Sequence, residues 1–390
     1  MRALVLDAER KTAYVKTIPK PVPQQNEILV RVHSVALNPV DALYMYNPLG
    51  ASGRVIGSDF AGVVESLGPS VSTTSSIKPG DRVAGFLQGA SSVNDRPGSF
   101  AEFLVCPEDL VWKVANDVSM EAAAAVSLCG LTAAQALFYR LGMKAPFEGG
   151  DQNGQSSPQI AQQAAKDISV LIYGASTSVG LYAAQLVRRA AEANGDNVRL
   201  IGSTGRKHFE MLKAEPYSYD YLVDYRDEDW PDQVRGLTGG AGVDYAYDCI
   251  SEGSTVANTA KCLTAGGRMA VVRSREGRAW DTPRNELSIE PIYGAVWEGL
   301  GENVEYVGMF LPKSKRARDF AVAFYKWLSV NGNLQANPIR AMPGGLEKIT
   351  DDGLRLLGSG KMEDRDDSRT EEWMRPVSAE KLVYRLNDSP

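Results

Sequence analysis

Short runs of alternating apolar and polar residues fill roughly the first 110 positions of the chain. Residues 28–37 and 100–105 alternate with a period of two and are rich in β-branched or aromatic side chains, which predicts strands. Between them, Lys78-Pro79-Gly80-Asp81 places Pro and Gly at the two central positions that a type II turn prefers. Many short strands joined by regular turns predict a small β-rich, barrel-like domain.

The pattern changes near residue 119, where strands begin to alternate with helices. Ser119 ahead of Met120 and Glu121 is typical of a capped helix start. Residues 168–173 are apolar enough to form a strand buried on both faces, and residues 178–193 follow as a helix. Further strands are predicted at 198–202, 243–248 and 267–272. This alternation predicts an α/β domain whose parallel sheet carries helices on both faces.

The C-terminal segment returns to shorter elements. We predict a helix at 316–330, a strand at 338–342, a helix at 346–357 and a last strand at 381–386. We expect this tail to fold back onto the N-terminal domain. Residues 144–166 and 361–376 are polar or highly charged and are predicted to be loops, either surface insertions or the rim of a substrate site.

Composition and charge exclude several classes of protein. The net charge of −6 gives no general attraction to nucleic acid or to anionic lipid. No apolar run approaches the roughly 18–20 residues of a membrane span, and the start meets Asp7 too soon for a secretion signal, so we expect a cytoplasmic protein. The cysteines lie far apart and no histidine stands at metal spacing, so we predict free thiols and no metal site.

A glycine- and hydroxyl-rich turn follows the first buried strand and opens a helix. Gly174 permits the tight turn, and Gly180 lets the helix pack closely on the sheet. The N–H groups at the start of the helix favour a pyrophosphate, and three hydroxyls can add hydrogen bonds to it. Because Ser176 replaces the usual middle glycine, a plain capped turn is the alternative. The predicted dinucleotide-binding residues of this turn are Gly174, Ser176, Thr177, Ser178, Val179 and Gly180.

The end of the next strand selects the dinucleotide. NAD-binding folds usually carry Asp or Glu there, whereas residues 202–208 hold no carboxylate and include Gly205, Arg206 and Lys207. The two cations would neutralise a 2′-phosphate, which predicts NADPH; the alternative is a solvated helix start. Tyr225, at the end of the third strand, either flanks the adenine or is an ordinary edge aromatic.

Several motifs in order resemble the medium-chain dehydrogenase/reductase superfamily. They are Asn38-Pro39-Val40-Asp41 and residues 57–62, 80–83 and 98–102. The resemblance implies a GroES-like substrate domain at 1–126 and 312–390 and a Rossmann doubly wound NADPH-binding domain at 127–311. Zinc-dependent members carry a Cys ligand about where Asn38 stands and a His some twenty residues later, and this chain has neither. It therefore resembles the zinc-free branch.

A closer resemblance is to the trans-acting enoyl reductases that serve fungal polyketide synthases. It rests on the 176–179 turn, the loop before the cofactor strand, residues 247–250 and 265–268, and the ending at 378–384. It implies hydride transfer from NADPH to the β-carbon of an α,β-unsaturated thioester held on a carrier protein. It also implies that the cofactor contacts Asp41, Leu43, Val271, Val272 and Lys381 and that the substrate cleft contains Asn38, Tyr44 and Thr132.

One position departs from that family. A lysine common near the nicotinamide is replaced by Leu43, so Tyr44 or Thr132 would supply the hydrogen bond to the substrate carbonyl. Thr132 could instead cap its helix or contact the cofactor amide. Asp41 is expected to organise its loop rather than donate a proton, and water is an open source of that proton. A free-standing quinone or enone reductase and a non-catalytic nucleotide-binding protein remain alternatives.

The predicted oligomeric state is a monomer. In the superfamily, dimers usually form through an edge strand of the cofactor domain. In this chain we expect that edge at residues 304–310, after an irregular stretch from 274 to 303 that would block pairing.

Overall fold

The computed structural model describes residues 1–71, 76–149, 165–306, 308–330, 332, 334–365 and 368–386. Its strands are β1 (Arg2–Asp7), β2 (Thr12–Thr17), β3 (Glu27–Ala36), β4 (Asp59–Leu67), β5 (Arg82–Phe86), β6 (Phe103–Pro107), β7 (Val111–Lys113), β8 (Asp167–Tyr173), β9 (Asn197–Ser203), β10 (Tyr221–Val223), β11 (Val243–Asp248), β12 (Leu263–Val271), β13 (Ile292–Tyr293), β14 (Val304–Tyr306), β15 (Met309–Leu311), β16 (Ile339–Met342) and β17 (Lys381–Arg385). Its α-helices are α1 (Pro39–Tyr46), α2 (Met120–Ala124), α3 (Ser127–Ala134), α4 (Ser178–Asn194), α5 (Phe209–Lys213), α6 (Trp230–Leu237), α7 (Thr255–Lys261), α8 (Lys315–Val330), α9 (Leu346–Lys348) and α10 (Arg355–Leu357).

The chain divides into two compact units. The first contains Met1–Leu128 and Trp297–Pro390, and the second contains Cys129–Val296. The expected boundary at 311/312 therefore differs from the division at 296/297. Residues after 296 join the first unit because the ring of Trp297 packs 5.6 Å from that of Phe86 and Glu302 pairs with Arg96 at 2.7 Å.

The first unit is built on a sheet of short strands. Its order is β16-β17-β3-β4-β5-β7, and β6 also pairs with β3. The turn before β5 is the predicted type II turn, because Gly80 has φ +89° and the Asp81 N–H donates to the Lys78 carbonyl at 3.0 Å. The last strand, β17, pairs antiparallel with β3, which confirms that the C-terminal tail returns to the N-terminal domain.

The second unit is a parallel six-stranded sheet. Its strand order is β10-β9-β8-β11-β12-β13, and every pair in it is parallel. Numbered from β8, this is the doubly wound order 3-2-1-4-5-6, which brings the carboxyl ends of β8 to β11 to one edge of the sheet. The strands are buried, as their apolar sequences predict; Val170, Leu171 and Ile172 of β8 have no exposed surface.

The expected edge strand at 304–310 is not part of that sheet. β13 is its outer strand on that side, and β14 pairs antiparallel with β15 as a separate hairpin. The prediction was wrong because these residues have each other as backbone partners, across a bend in which Gly308 has φ +80°.

Two loops were predicted, at residues 144–166 and 361–376. Most of the predicted loop at 144–166 lies outside the described residues, because residues 150–164 are not described. The predicted loop at 361–376 contains two short helical turns, Met362–Asp364 and Glu372–Met374. In the described part of the chain, no helix combines the length and the apolar character needed to cross a membrane.

Candidate functional site

The turn between β8 and α4 has the tight geometry that its glycines predict. Gly174 adopts φ +72°, and its N–H and that of Ala175 both donate to the Ser203 carbonyl at 3.0 Å. Thr177 caps α4 by accepting the Gly180 N–H on its hydroxyl at 3.1 Å. A Cβ on Gly180 would lie 2.4 Å from the Gly174 carbonyl oxygen, so only glycine lets the helix approach the turn this closely.

The hydroxyls of this turn lie at the N-terminus of a long helix. α4 runs from Ser178, with Val179 next, to Asn194, and its N-terminus carries a partial positive charge that attracts phosphate. The Thr204 hydroxyl donates to the Ser176 hydroxyl at 2.8 Å, which joins the end of β9 to the turn. The sequence analysis missed Thr204, although its place directly after β9 could have suggested it.

The carboxyl end of β9 carries the predicted cations. The side chain of Arg206 is 70% exposed and pairs with Asp227 at 2.9 Å, and Lys207 is exposed. The Arg206 N–H donates to Asp224 at 3.4 Å. The strand end itself lacks a carboxylate, as predicted, but Asp224 from the end of β10 reaches it, which sequence reasoning did not foresee.

Tyr225 lies beside these cations with 44% of its surface exposed. Its ring meets the edge of the Tyr173 ring at a centroid distance of 6.5 Å, and Tyr173 packs on Trp230 at 5.2 Å. The Arg226 guanidinium lies 4.6 Å from the Tyr225 ring centroid. Tyr225 therefore belongs to a group of aromatic and cationic side chains, and both predicted roles stay open.

Two of the remaining predicted residues of the second unit, Val271 and Val272, lie at the end of β12. Val271 is buried at the end of β12, and the Val272 N–H donates to the Asp248 carbonyl at 3.1 Å. The Asp248 carboxylate accepts the N–H groups of Ile250 and Ser251 and thereby holds the loop after β11. Burial raises the pKa of Asp248 to about 6, against the effect of these hydrogen bonds. Thr132 is half-buried in α3.

The first unit brings three other predicted residues into one buried polar cluster. Asp41 accepts the Asn38 N–H at 2.7 Å, which closes the first turn of α1. The Lys381 ammonium donates to the Asn38 side-chain oxygen at 2.6 Å and to Asp59 at 3.1 Å. Ser58 donates to Asp41 at 2.8 Å. These five residues, Asn38, Asp41, Ser58, Asp59 and Lys381, are called the polar cluster below.

Burial dominates the electrostatics of the polar cluster. It raises the pKa of Asp41 to about 7, although the Asn38 N–H and the Ser58 hydroxyl oppose the shift. Burial also raises the pKa of Asp59, which the Lys381 ammonium counteracts. The side chains of Lys381 and Asp59 are 3% and 0% exposed, so the charges of this pair are compensated within the protein.

Tyr44 and Leu43 lie next to this cluster on α1. The Tyr44 oxygen accepts a hydrogen bond from the Gln88 amide at 2.9 Å, and its ring lies 6.3 Å from that of Trp297. Burial, and next the neighbouring Tyr306, hold the pKa of Tyr44 well above its usual value, so its hydroxyl remains protonated. Leu43 is half-buried and approaches Gly360, where a Cβ would lie 3.3 Å from its Cδ1.

The residues of the polar cluster do not fit a catalytic zinc ion. Asn38 stands about where the resemblance puts the cysteine ligand of a zinc enzyme, and the Asn38 amide donates to Ser58 at 2.9 Å. The Lys381 ammonium supplies a positive charge at the same place. In the described ranges, no group of three or more His, Cys, Asp or Glu side chains could hold a metal ion.

The predicted site residues thus fall into two groups, one in each unit. The nucleotide group surrounds the carboxyl ends of the parallel strands, and the second group surrounds α1. Sequence reasoning did not assign roles to several residues that complete both groups. These residues are Ser58, Asp59, Gln88, Thr204, Asp224 and Arg226. Most of them have partners far away in the chain, whereas Arg226 contacts the nearby Asp224 and Tyr225.

Comparison with known protein families agrees with this architecture. The alcohol dehydrogenase GroES-like domain family matches residues 24–116, and the family described as zinc-binding dehydrogenase matches residues 178–284. A GroES-like unit together with a doubly wound nucleotide-binding unit defines an oxidoreductase of the medium-chain dehydrogenase/reductase type.

Individual relatives narrow the class. The chain is 30% identical over 390 residues to the trans-enoyl reductase ACTTS2 of Alternaria alternata, covering 99% of each chain. It therefore belongs to the trans-enoyl reductase family. Among solved structures, it shares its fold with the CurK enoyl reductase (TM-score 0.69, 17% identity, 99% of each chain covered). It shares the same fold with a mycobacterial protein solved in complex with NADPH (TM-score 0.65, 21% identity, 99% of each chain covered).

Proposed function

We propose that this protein is an NADPH-dependent enoyl reductase that reduces an α,β-unsaturated thioester carried by a fungal polyketide synthase. The observation that carries this proposal is the full-length similarity to a trans-enoyl reductase. The two groups of site residues provide the binding and hydrogen-bonding functions that this reaction needs.

The residues of the second unit fit NADPH. The start of α4 and the hydroxyls of Ser176, Thr177 and Ser178 would hold the pyrophosphate, and Arg206 would pair with the 2′-phosphate. When bound, this coenzyme supplies the hydride that adds to the β-carbon of the substrate. The other proposed cofactor contacts are Val271, Val272, Asp41, Leu43 and Lys381. Lys381 would act through its hydrogen bond to Asn38.

Conjugate reduction places negative charge on the carbonyl oxygen of the thioester, so a fixed donor is needed there. We assign this role to Tyr44, with Thr132 as the second candidate and Asn38 as a further proposed catalytic residue. Gln88 donates to the Tyr44 oxygen, which leaves the phenol proton for an acceptor. Because Tyr44 keeps its proton and both oxygens of Asp41 already accept hydrogen bonds within the polar cluster, water is the proposed proton source for the α-carbon.

The test is reduction of an enoyl thioester by the purified chain. NADPH is mixed with a short α,β-unsaturated thioester, free or on a carrier protein, and the loss of reduced nicotinamide absorbance is followed. The saturated thioester is the control and should consume no NADPH. Turnover of small quinones but not of thioesters would favour the free-standing quinone or enone reductase. Nucleotide binding without turnover across enones and thioesters would favour the non-catalytic alternative.

Tyr44→Phe tests the proposed donor. Loss of one donor to a developing oxyanion costs roughly a hundredfold in kcat, with little change in the KM for NADPH. Tyr46→Phe, on the same helix, is the matched control and should retain near wild-type kcat. Equal kcat values for the two variants would exclude Tyr44 and leave Thr132→Val as the variant to measure.

We also propose that the protein acts in trans as a monomer on an enoyl chain held by a separate synthase. The support is local: β14, expected as the edge of the cofactor sheet, is paired with β15. One of the two hydrogen-bonding edges of β14 is thereby already used.

A further inference from the structure

A buried carboxylate lies where sequence reasoning expected only cations. Asp224 follows β10, and its side chain is 6% exposed. One oxygen accepts the Arg226 N–H at 3.1 Å, and the other accepts the Arg206 N–H at 3.4 Å. Burial opposes ionisation of Asp224, but these N–H groups lower its pKa, so it is an anion at neutral pH.

The same carboxylate also contacts two guanidinium groups. Arg206 Nε lies 3.4 Å from one oxygen of Asp224, and Arg226 Nη1 lies 3.4 Å from the other. Asp224 thus bridges an arginine after β9 and an arginine after β10. Asp227 contacts Arg206 Nη2 at 2.9 Å and fixes its other side.

Two further contacts hold the Arg226 side chain. Its guanidinium covers the Tyr225 ring at 4.6 Å. It also lies against the backbone of Gly205, where a Cβ would come within 2.6 Å of Arg226 Nη1. Gly205 has an ordinary φ of −70°, so a side chain there would meet only the end of this arginine side chain.

Charge and exposure favour an anion as the ligand of this arrangement. Arg206, Lys207 and Arg226 bring three positive charges, and Asp224 and Asp227 bring two negative charges. The side chains of Arg206 and Arg226 remain 70% and 57% exposed, so their guanidinium edges are accessible from solvent. A phosphate added to this group finds a net positive charge and two planar donors.

A carboxylate here has a second possible role, since NAD-binding folds use one to accept the ribose 2′-hydroxyl. The geometry favours the role of holding Arg206 and Arg226 in place. Each oxygen of Asp224 already accepts a backbone N–H and faces a guanidinium.

We propose that Arg226 is a specificity-determining residue for the 2′-phosphate of NADPH and that Asp224 is the positioning residue that holds Arg206 and Arg226 for it. This inference rests on the proposed function only for the choice of coenzyme. It extends the predicted pair of Arg206 and Lys207 by a cation from the neighbouring strand.

The test is calorimetric titration of the full chain with 2′,5′-ADP, which carries the 2′-phosphate, and with 5′-AMP, which lacks it. Arg226→Gln should weaken binding of 2′,5′-ADP by about tenfold or more and leave 5′-AMP unchanged, because one charge-assisted contact is lost. Arg199→Gln removes an exposed cation at the opposite end of β9 and should change neither affinity. Arg226→Gln with wild-type affinity for 2′,5′-ADP would overturn the proposal, as would a wild type that binds both ligands equally.

Asp224→Asn separates the two roles of the carboxylate. If Asp224 positions the arginines, this variant binds 2′,5′-ADP more weakly and 5′-AMP normally. If it binds the ribose hydroxyl, the variant loses affinity for 5′-AMP, and the proposal fails. Because Arg226 is exposed, Arg226→Gln still tests the proposal where Asp224→Asn does not fold. Neither titration needs an enoyl substrate, so a negative result in the enoyl reductase assay does not change what the titrations show about Arg226 and Asp224.

Discussion

Lys381 shows how a single residue can acquire its role from partners far away in the sequence. Its ammonium contacts Asn38 and Asp59, which are 343 and 322 residues away. A buried charge without a partner is costly, whereas a buried pair with further hydrogen bonds is tolerated. Lys381 is therefore expected to matter for the stability of the first unit independently of any cofactor contact.

Lys381→Met should lower the stability of the protein by about 3–5 kcal/mol, because it leaves Asp59 as an unpaired buried charge. For a unit of this size, that corresponds to a melting midpoint lower by roughly 10 °C. Lys326→Met, at an exposed lysine of α8, is the control and should melt as the wild type does. If adding Asp59→Asn to Lys381→Met does not restore part of the lost stability, the unpaired buried charge of Asp59 is not the cause of that loss.

Asp41 makes the stability of the first unit depend on pH. Its pKa rises from 3.8 in the unfolded chain to about 7 in the folded protein, so the folded state binds more protons between these values. The contribution of protonated Asp41 to the stability of the folded state is fully present below about pH 4. It is lost as the pH rises through 7. The groups facing Asp41 are the Asn38 N–H, the Ser58 hydroxyl, Asp59 and Lys381.

The free energy of unfolding of the wild type, compared with that of Asp41→Asn, should therefore fall as the pH rises from about 4 to 8. The total fall should be at most on the order of 4 kcal/mol. Urea denaturation of both proteins across this range measures the difference. A difference that is constant with pH, or that grows in favour of the wild type at high pH, would contradict the raised pKa of Asp41.

At the scale of elements, the β8–turn–α4 segment follows from its own sequence. Its strand, turn and helix were predicted within one residue at each boundary, because the glycines, the cap and the apolar run act on their neighbours. Residues 304–310 illustrate the opposite case. Residues 304–306 and 309–310 form strands, but the expected pairing with the parallel sheet was wrong, because β14 pairs with β15 instead.

Gly180→Ala tests the strand–turn–helix element. The added Cβ would lie 2.4 Å from the Gly174 carbonyl oxygen, so α4 must move away from the turn. We expect NADPH affinity to fall by about tenfold or more, because the helix N-terminus would no longer face the phosphates. Gly236→Ala in α6 meets open space and should bind NADPH normally, with slightly higher helix stability. Equal NADPH affinity in both variants would show that the close approach is not required.

At the scale of the whole molecule, each unit contributes a different group of site residues. The parallel unit gathers its group at strand ends, where doubly wound sheets bind ligands. The GroES-like unit gathers its group around α1 by returning the C-terminal strand β17 to β3. The first unit is therefore assembled from two separate segments of the chain, whereas the second is one continuous segment.

The proposed monomer is tested on the intact chain by light scattering coupled to gel filtration. We expect a mass near 42.2 kDa, because β14 pairs with β15 and is not an edge strand of the parallel sheet. A mass near twice this value, stable on dilution, would overturn the proposal.

The sequence by itself determined the class of each domain, the turn that begins α4 and the cations after β9. These features depend on periodicity, glycine geometry and capping, which act over a few residues. Only the tertiary structure decided that Lys381 meets Asp59, that Asp224 bridges Arg206 and Arg226, and that β14 pairs with β15. The contacts of Lys381 with Asp59 and of Asp224 with Arg206 join residues distant along the chain, which periodicity does not specify. β14 and β15 are neighbours in the chain, but the period of a strand does not determine which strand it pairs with.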